Sequence, residues 1–133
     1  MSQVGSLVGI VLVSHSGALA EGAAELAGQV SGGTVRVLAA GGTDDGELGT
    51  SAEKISAAVA EAETGAGVVV LPDLGSAVLT VRALLGDEPD ERVLLVDAPF
   101  VEGAVAATAT AAAGLDLKAV AQAAQEAWHA RKL

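Results

Sequence analysis

"LVGIVLVSHSGALAEG", residues 7–22, joins an unbroken aliphatic run to a helix-like pattern through a short polar turn. The run at 7–13 is rich in β-branched residues and has no polar alternation, the pattern of a strand covered on both faces. Such a strand belongs near the middle of a sheet. Residues 17–30 then set Leu19, Ala23, Leu26, Ala27 and Val30 at helical spacing, with Glu21, Glu25 and Gln29 opposite, and "SGG" at 31–33 ends the helix. Between strand and helix, the turn Ser14-His15-Ser16 spends a titratable ring between two hydroxyls.

The same grammar recurs along the chain. "TVRVLAA" (34–40) reads as a second strand and "GGTDDGELG" (41–49) as a loop. Thr50 with Glu53 forms a capping-box pattern opening a helix buried through Ile55, Ala58, Val59 and Ala62. A third strand at 67–73, "GVVVLPD", leads into a helix at 76–86, and a fourth at 92–99, "RVLLVDAP", leads into an Ala-rich helix at 101–113. Asp116 is placed to cap a last helix. Its stripe of Leu117, Val120, Ala121, Ala124 and Trp128 puts Trp128 in the core and leaves His129 on the solvent face with Lys118, Gln122 and Gln125.

Strands alternating with helices of this length imply an α/β domain, a doubly wound, mainly parallel four-stranded sheet with helices on both faces. The 133 residues suit a single domain spanning 1–133. Aromatics are only 2% of the chain while hydrophobic residues are 51%, so the core must be built from Val, Leu, Ile and Ala. With 7 Lys and Arg against 17 Asp and Glu, the formal charge of -10 repels phosphate backbones and anionic lipid, which disfavours nucleic-acid and membrane partners. There is no cysteine for a disulfide or thiolate metal site. The first basic residue is Arg36, and the run at 7–13 is far shorter than the roughly 20 residues of a membrane span, so a cytoplasmic protein is expected.

In doubly wound sheets ligands sit beyond the carboxyl ends of the strands, so the turns that follow the strands carry the chemistry. Here they hold Ser14-His15-Ser16, Gly41-Gly42-Thr43-Asp44, Pro72-Asp73-Leu74-Gly75-Ser76 and Asp97-Ala98-Pro99. All seven cations (Arg36, Lys54, Arg82, Arg92, Lys118, Arg131 and Lys132) fall outside those turns, and no G-x-x-x-x-G-K-S/T sequence is present to cradle a nucleotide. A histidine that takes a phosphoryl group from another protein needs less: a neutral ring nitrogen, an acceptor fixing its tautomer, and donors for the phosphate oxygens. His15 before a helix N-terminus, with Asp73 on a neighbouring strand, can supply that arrangement. Ser14, Ser16, Gly75 and Ser76 are the candidate phosphate-binding residues, and Gly42, Thr43 and Thr50 border the site if the loop at 41–49 reaches it. Each has a plainer reading: His15 as a turn residue, Asp73 or Ser76 as a helix cap, and the Gly- and Asp-rich loop as solvated surface.

"VLVSHSGALAEGAAELAGQV", "AAGGTDDGELGTSAEKI", "VVVLPDLGSAVL" and "DAPFVEGAVAATATAAAG" together resemble the phosphotransfer subunit of the phosphoenolpyruvate-dependent dihydroxyacetone kinase, whose domain is similar to the mannose-type enzyme IIA. The resemblance spans nearly the whole chain. H-S after the first strand, G-T-S after the second, D-L-G-S-A after the third and A-P-x-V-E-G after the fourth form an ordered set. It implies that His15 is phosphorylated by the phosphocarrier protein HPr, and that the phosphate passes to ADP held on the kinase's nucleotide-binding subunit. Asp73 matches the orienting carboxylate. It further implies that this chain binds no cofactor, with ADP and magnesium on the partner subunit, and that it forms a homodimer. Alternatives are a mannose-type enzyme IIA serving a sugar transporter, and a non-catalytic regulatory or binding module. A receiver-type module would need an acidic pair where this chain has Ser14-His15-Ser16.

Overall fold

The computed structural model describes residues 6–87 and 89–133. Residues 1–5, the start of the stretch read above as lacking a cationic leader, lie outside the described residues, as does Glu88. In chain order the elements are β1 (Gly9–Ser14), α1 (Gly17–Val30), β2 (Val37–Gly41), α2 (Ala52–Ala62), β3 (Val68–Pro72), α3 (Gly75–Asp87), β4 (Val93–Leu95), α4 (Phe100–Ala112) and α5 (Leu117–Glu126), followed by a 3₁₀ turn at Ala127–His129. All strand pairs are parallel, in the order β2-β1-β3-β4, so the α/β architecture expected from the sequence is the one observed.

Alternation along the two central strands divides the core. Ile10, Leu12, Val69 and Leu71 face α1, α4 and α5, whereas Val11, Val13, Val68 and Val70 face α2 and α3. Each fully buried Val, Leu or Ile is worth about 1.5–3 kcal/mol of transfer free energy, and β1 and β3 hold most of them. The helices answer with alanine. On α1 the buried positions are Ala20, Ala23 and Ala27, while Leu19, Leu26 and Val30, expected on the core stripe, are 45%, 51% and 47% exposed. Apolar spacing alone cannot separate a Leu from an Ala stripe. What decides is the close approach of α1 to β2, where a Cβ on Gly41 would come 2.5 Å from Ser16 O and 2.9 Å from the Ala20 Cβ.

Other boundaries differ from expectation for physical reasons. The strand expected at 92–99 pairs only over Val93–Leu95. Its ladder to β3 runs through Val68 N–H to Arg92 O and Val96 N–H to Val70 O, and the next donor in that series would be residue 72, a proline with no N–H. The second strand begins at Val37 rather than 34, because Ser31 folds its neighbours into a turn, accepting at its Oγ from Val35 N–H. The cap of α2 is Ser51, which accepts from Lys54 N–H at 3.2 Å, so Thr50 and Glu53 form no capping box. Asp116 caps α5 through Ala119 N–H at 3.0 Å.

Trp128 is not a core residue: it is 57% exposed, its indole N–H donating to Asp97 O at 3.1 Å. The expected stripe assumed 3.6 residues per turn, whereas α5 ends at Glu126 and the 3₁₀ turn that follows has three, rotating Trp128 off the buried face. His129 is exposed, as expected.

Candidate functional site

The strand order places the site. The helix after β1 covers one face and the helix after β3 the other, so between these neighbouring strands the two connections diverge and leave a crevice at the carboxyl edge. Register then sets the contacts: Val13 lies beside Pro72, and Asp73 N–H donates to Val13 O at 2.9 Å, which holds Asp73 next to the end of β1.

Around that point the carboxylate of Asp73 takes four donors. Its Oδ2 accepts from the Ser14 hydroxyl at 2.8 Å and from His15 N–H at 3.1 Å. Its Oδ1 accepts from Leu74 N–H at 2.7 Å and lies 3.0 Å from His15 Nδ1. An ionised carboxylate can only accept, so Nδ1 donates to it, and in the neutral form of the ring the lone pair lies on Nε2. Burial by itself would raise the Asp73 carboxyl, but the hydrogen bonds from the Ser14 hydroxyl, the His15 amide, the His15 ring and the Leu74 amide outweigh it and hold the group below its ordinary value. The Asp73 side chain is 9% exposed and that of His15 23%.

Nε2 meets Ser76 Oγ in a hydrogen bond. Ser76 lies in the first turn of α3, and it does not cap that helix. Ser16 is the cap of α1, its Oγ accepting from Leu19 N–H at 3.2 Å. The first helical bond of α1 runs from Ala20 to Ser16 O, leaving the amides of Gly17 and Ala18 without a helical acceptor; in α3 the same holds for Gly75 and Ser76, ahead of Ala77 N–H to Leu74 O. Two helix N-termini thus flank the ring nitrogen, and together they favour an anion there.

The loop after β2 does reach this edge. Gly42 N–H donates to Ser14 O at 3.2 Å and Gly49 N–H to His15 O at 2.9 Å, both glycines having positive φ, 77° and 139°. Neither threonine turns its hydroxyl to the ring: Thr43 Oγ1 accepts from Glu47 N–H, and Thr50 Oγ1 pairs with Thr80 Oγ1 at 2.8 Å across to α3. Ser14 is fully buried with its Oγ engaged inward, so it does not present itself to an incoming phosphate. Thr80 was not evident from the sequence, since it acts from a helix 30 residues from its partner, and Gly49, within the loop expected to border the site, contributes through its backbone amide. Folding also brings cations to strand ends: Arg82 lines a cleft with Pro72 and Leu95, the last residues of β3 and β4, and Lys54 Nζ donates to Gly41 O at 3.2 Å, in a groove beyond β2 shared with Glu21 and Glu61. A cleft of about 520 Å³ between α3 and β4 is lined by Pro72, Val78, Arg82, Leu85, Leu95 and Asp97, not by the imidazole.

At this edge a half-buried histidine is oriented by an anionic carboxylate beside the N-termini of α1 and α3, and residues 9–121 match the family model of the PTS system fructose IIA component. A phosphoryl donor subunit DhaM of PEP-dependent dihydroxyacetone kinase 2 from Listeria innocua is 40% identical over 76% of this chain and 83% of its own length. The phosphotransferase subunit DhaM of a PTS-dependent dihydroxyacetone kinase from Lactococcus lactis is 34% identical over 84% and 89%. The Escherichia coli K12 phosphoryl donor subunit DhaM is 39% identical over 95% of this chain, which spans 28% of that longer relative. The crystal structure of a protein of unknown function, EF1359, superposes with a TM-score of 0.79 at 36% identity, covering 90% of this chain and 94% of the other. A sigma-54 interaction domain protein from Enterococcus faecalis, at 18% identity and a TM-score of 0.73, shares the fold. The chain belongs to the IIA family and, within it, to the DhaM phosphoryl donor subunits.

Proposed function

We propose that this chain is a phosphohistidine relay: His15 Nε2 takes a phosphoryl group from the phosphohistidine of HPr and gives it to ADP held on the nucleotide-binding subunit of dihydroxyacetone kinase. In the first step the P–N bond of the donor breaks as the Nε2–P bond forms; in the second, Nε2–P breaks as a β-phosphate oxygen of ADP bonds to phosphorus. No proton need move, because Nδ1 keeps its hydrogen on Asp73 throughout. The transition state is loose, so position and hydrogen-bond donors carry the catalysis. The amides of Gly17, Ala18, Gly75 and Ser76 and the hydroxyls of Ser16 and Ser76 are the donors at hand. A cradle of neutral donors also suits a relay, since clustered cations would hold the phosphate back from the next acceptor.

The observation that carries this reading is the Asp73–His15 pair, which in the neutral ring puts the free lone pair on Nε2, beside Ser76 and away from the cleft between α3 and β4. An enclosed small-molecule site would bury its substrate, whereas transfer between proteins needs an open nucleophile. Exposed leucines around it suit a protein partner: Leu74 follows Asp73, Leu48 precedes the Gly49 amide bound to His15, Leu19 lies in the first turn of α1 and Leu79 is the fifth residue of α3, with exposures of 62%, 79%, 45% and 66% respectively. ADP and its magnesium belong to the partner subunit, and this chain works as a cytoplasmic homodimer without a cofactor of its own. The test is incubation with phosphoenolpyruvate, enzyme I and HPr, followed by mass spectrometry. An acid-labile phosphate on His15 is expected; label on His129 instead, or none, would overturn the relay.

A further inference from the structure

We infer that Ser14 is a positioning residue: its hydroxyl locks the Asp73 carboxylate in the one orientation that presents Oδ1 to His15 Nδ1, rather than binding the transferred phosphate. The inference rests on the relay reading above for its consequence, but on geometry alone for its substance. Ser14 ends the central strand β1 with a relative exposure of 0%. Its Oγ lies 2.8 Å from Asp73 Oδ2 and 3.0 Å from Ser16 N. A hydroxyl has one hydrogen to give. The carboxylate can only accept and the amide can only donate, so the proton must point at Asp73 and the lone pair at Ser16. The single proton is committed to Asp73, so none is left to donate to a phosphate oxygen.

Two things follow for the site. The Asp73 carboxylate is anchored at both oxygens, Oδ2 by Ser14 and the His15 amide and Oδ1 by the Leu74 amide, so its rotation about the Cβ–Cγ bond is arrested before the imidazole arrives. Ser14 also links that carboxylate to the N–H of Ser16, the cap of α1, so one buried hydroxyl joins the orienting acid to the helix end that faces the phosphate. Removing it leaves Oδ2 with one donor fewer and the Ser16 amide without its acceptor. The carboxylate can then roll out of the plane in which Oδ1 meets Nδ1, and the share of rings protonated on Nε2, which cannot attack phosphorus, rises.

Valine and threonine are close in volume and both suit a strand, so Ser14→Val against Ser14→Thr isolates the hydroxyl, with Ser14→Ala as the simple deletion. Two readouts are needed: nitrogen NMR of His15 in its neutral form, which reports the tautomer without any phosphoryl transfer, and the rate of phosphate uptake from phosphorylated HPr. Ser14→Ala and Ser14→Val are expected to lose Nδ1–H population and to take up phosphate on the order of tenfold more slowly, with Ser14→Thr within about twofold of the native chain. The acid limb of the rate profile should move to higher pH in the two variants lacking a hydroxyl, because Asp73 loses a donor to its ionised form. A native tautomer and native rate in Ser14→Val, or equal defects in Val and Thr, would overturn the assignment. Lowered melting temperature with neither readout changed would also overturn it. Should the native chain take up no phosphate, the relay fails, while the tautomer comparison still decides the role of Ser14.

Discussion

Asp73 sits among four donors, and its chemistry follows from that number. Its carboxyl is held below the ordinary 3.8 because the folded state stabilises the anion more than burial penalises it. A group depressed in the folded state contributes its stability in full above its ordinary value, and that contribution is lost as pH falls through the lowered folded value. Asp73→Asn removes the anion. The stability difference between native and variant chains, measured by urea unfolding at a series of pH values, should therefore be largest at neutral pH and shrink in acid below about 3.8. At neutral pH the same variant should take up phosphate at least about tenfold more slowly, since a neutral amide can donate as well as accept and no longer fixes Nδ1–H. Unaltered transfer kinetics would remove Asp73 from the mechanism. Ser76→Ala tests the other ring nitrogen. If its hydroxyl follows the phosphoryl group once Nε2 is taken, its loss should slow uptake by roughly 10²-fold, read in rapid-quench experiments.

At the scale of elements, the site depends on how closely α1 stands on the end of β2. A Cβ at Gly41 would meet Ser16 O at 2.5 Å and the Gly17 Cα at 2.9 Å, both at the very turn that carries His15. Gly41→Ala should cost about 1–3 kcal/mol, and it should slow phosphate uptake as well, because the strain enters at the N-terminus of α1. A Cβ at Gly22, within the same helix, would meet nothing within 4 Å, so Gly22→Ala should instead stabilise by about 0.5–1 kcal/mol with uptake unchanged. Thermal denaturation of the pair checks both signs. Trp128 belongs to the same scale. Its indole makes one hydrogen bond to Asp97 O from an exposed position, so Trp128→Phe should cost no more than about 1.5 kcal/mol, far less than removal of a core aromatic.

For the whole molecule, the 17 acidic residues against 7 basic ones bear on which acceptor the proposed relay would serve. Lys54 is the one cation found bonded at a strand end among the described residues, and it is held on Gly41 O beside two glutamates. Among the described residues no lysine or arginine is bonded to His15 or Asp73, so a free diphosphate with its metal would find no charged clamp on that pair. Phosphorylated protein should accordingly lose its phosphate rapidly to the nucleotide-binding subunit carrying ADP and slowly to ADP alone or to the same subunit stripped of nucleotide. Equal loss to free ADP would mean that this chain binds nucleotide itself. Sedimentation of the isolated chain checks the proposed homodimer.

The sequence by itself determined the α/β class, the position of the buried strands and the candidacy of His15, Asp73 and Ser76. Each is a local signal: an aliphatic run with no alternation, a helix-start pattern, a polar residue just past a strand. Depth along a helix was not local. Leu19 and Ala20 are both apolar neighbours, and only the approach of α1 to the sheet chose the smaller for burial. The end of β4 required knowing that Pro72 would stand opposite it, and the exposure of Trp128 required the change of helical pitch after Glu126. At the site, the residue types were readable but their directions were not. Ser14 ends β1 and Ser76 lies in the first turn of α3, and the same side chain turns inward to Asp73 at one and to Nε2 at the other. A hydroxyl's partner is set by parallel register between strands 59 residues apart in the chain, and register is a property of the folded sheet.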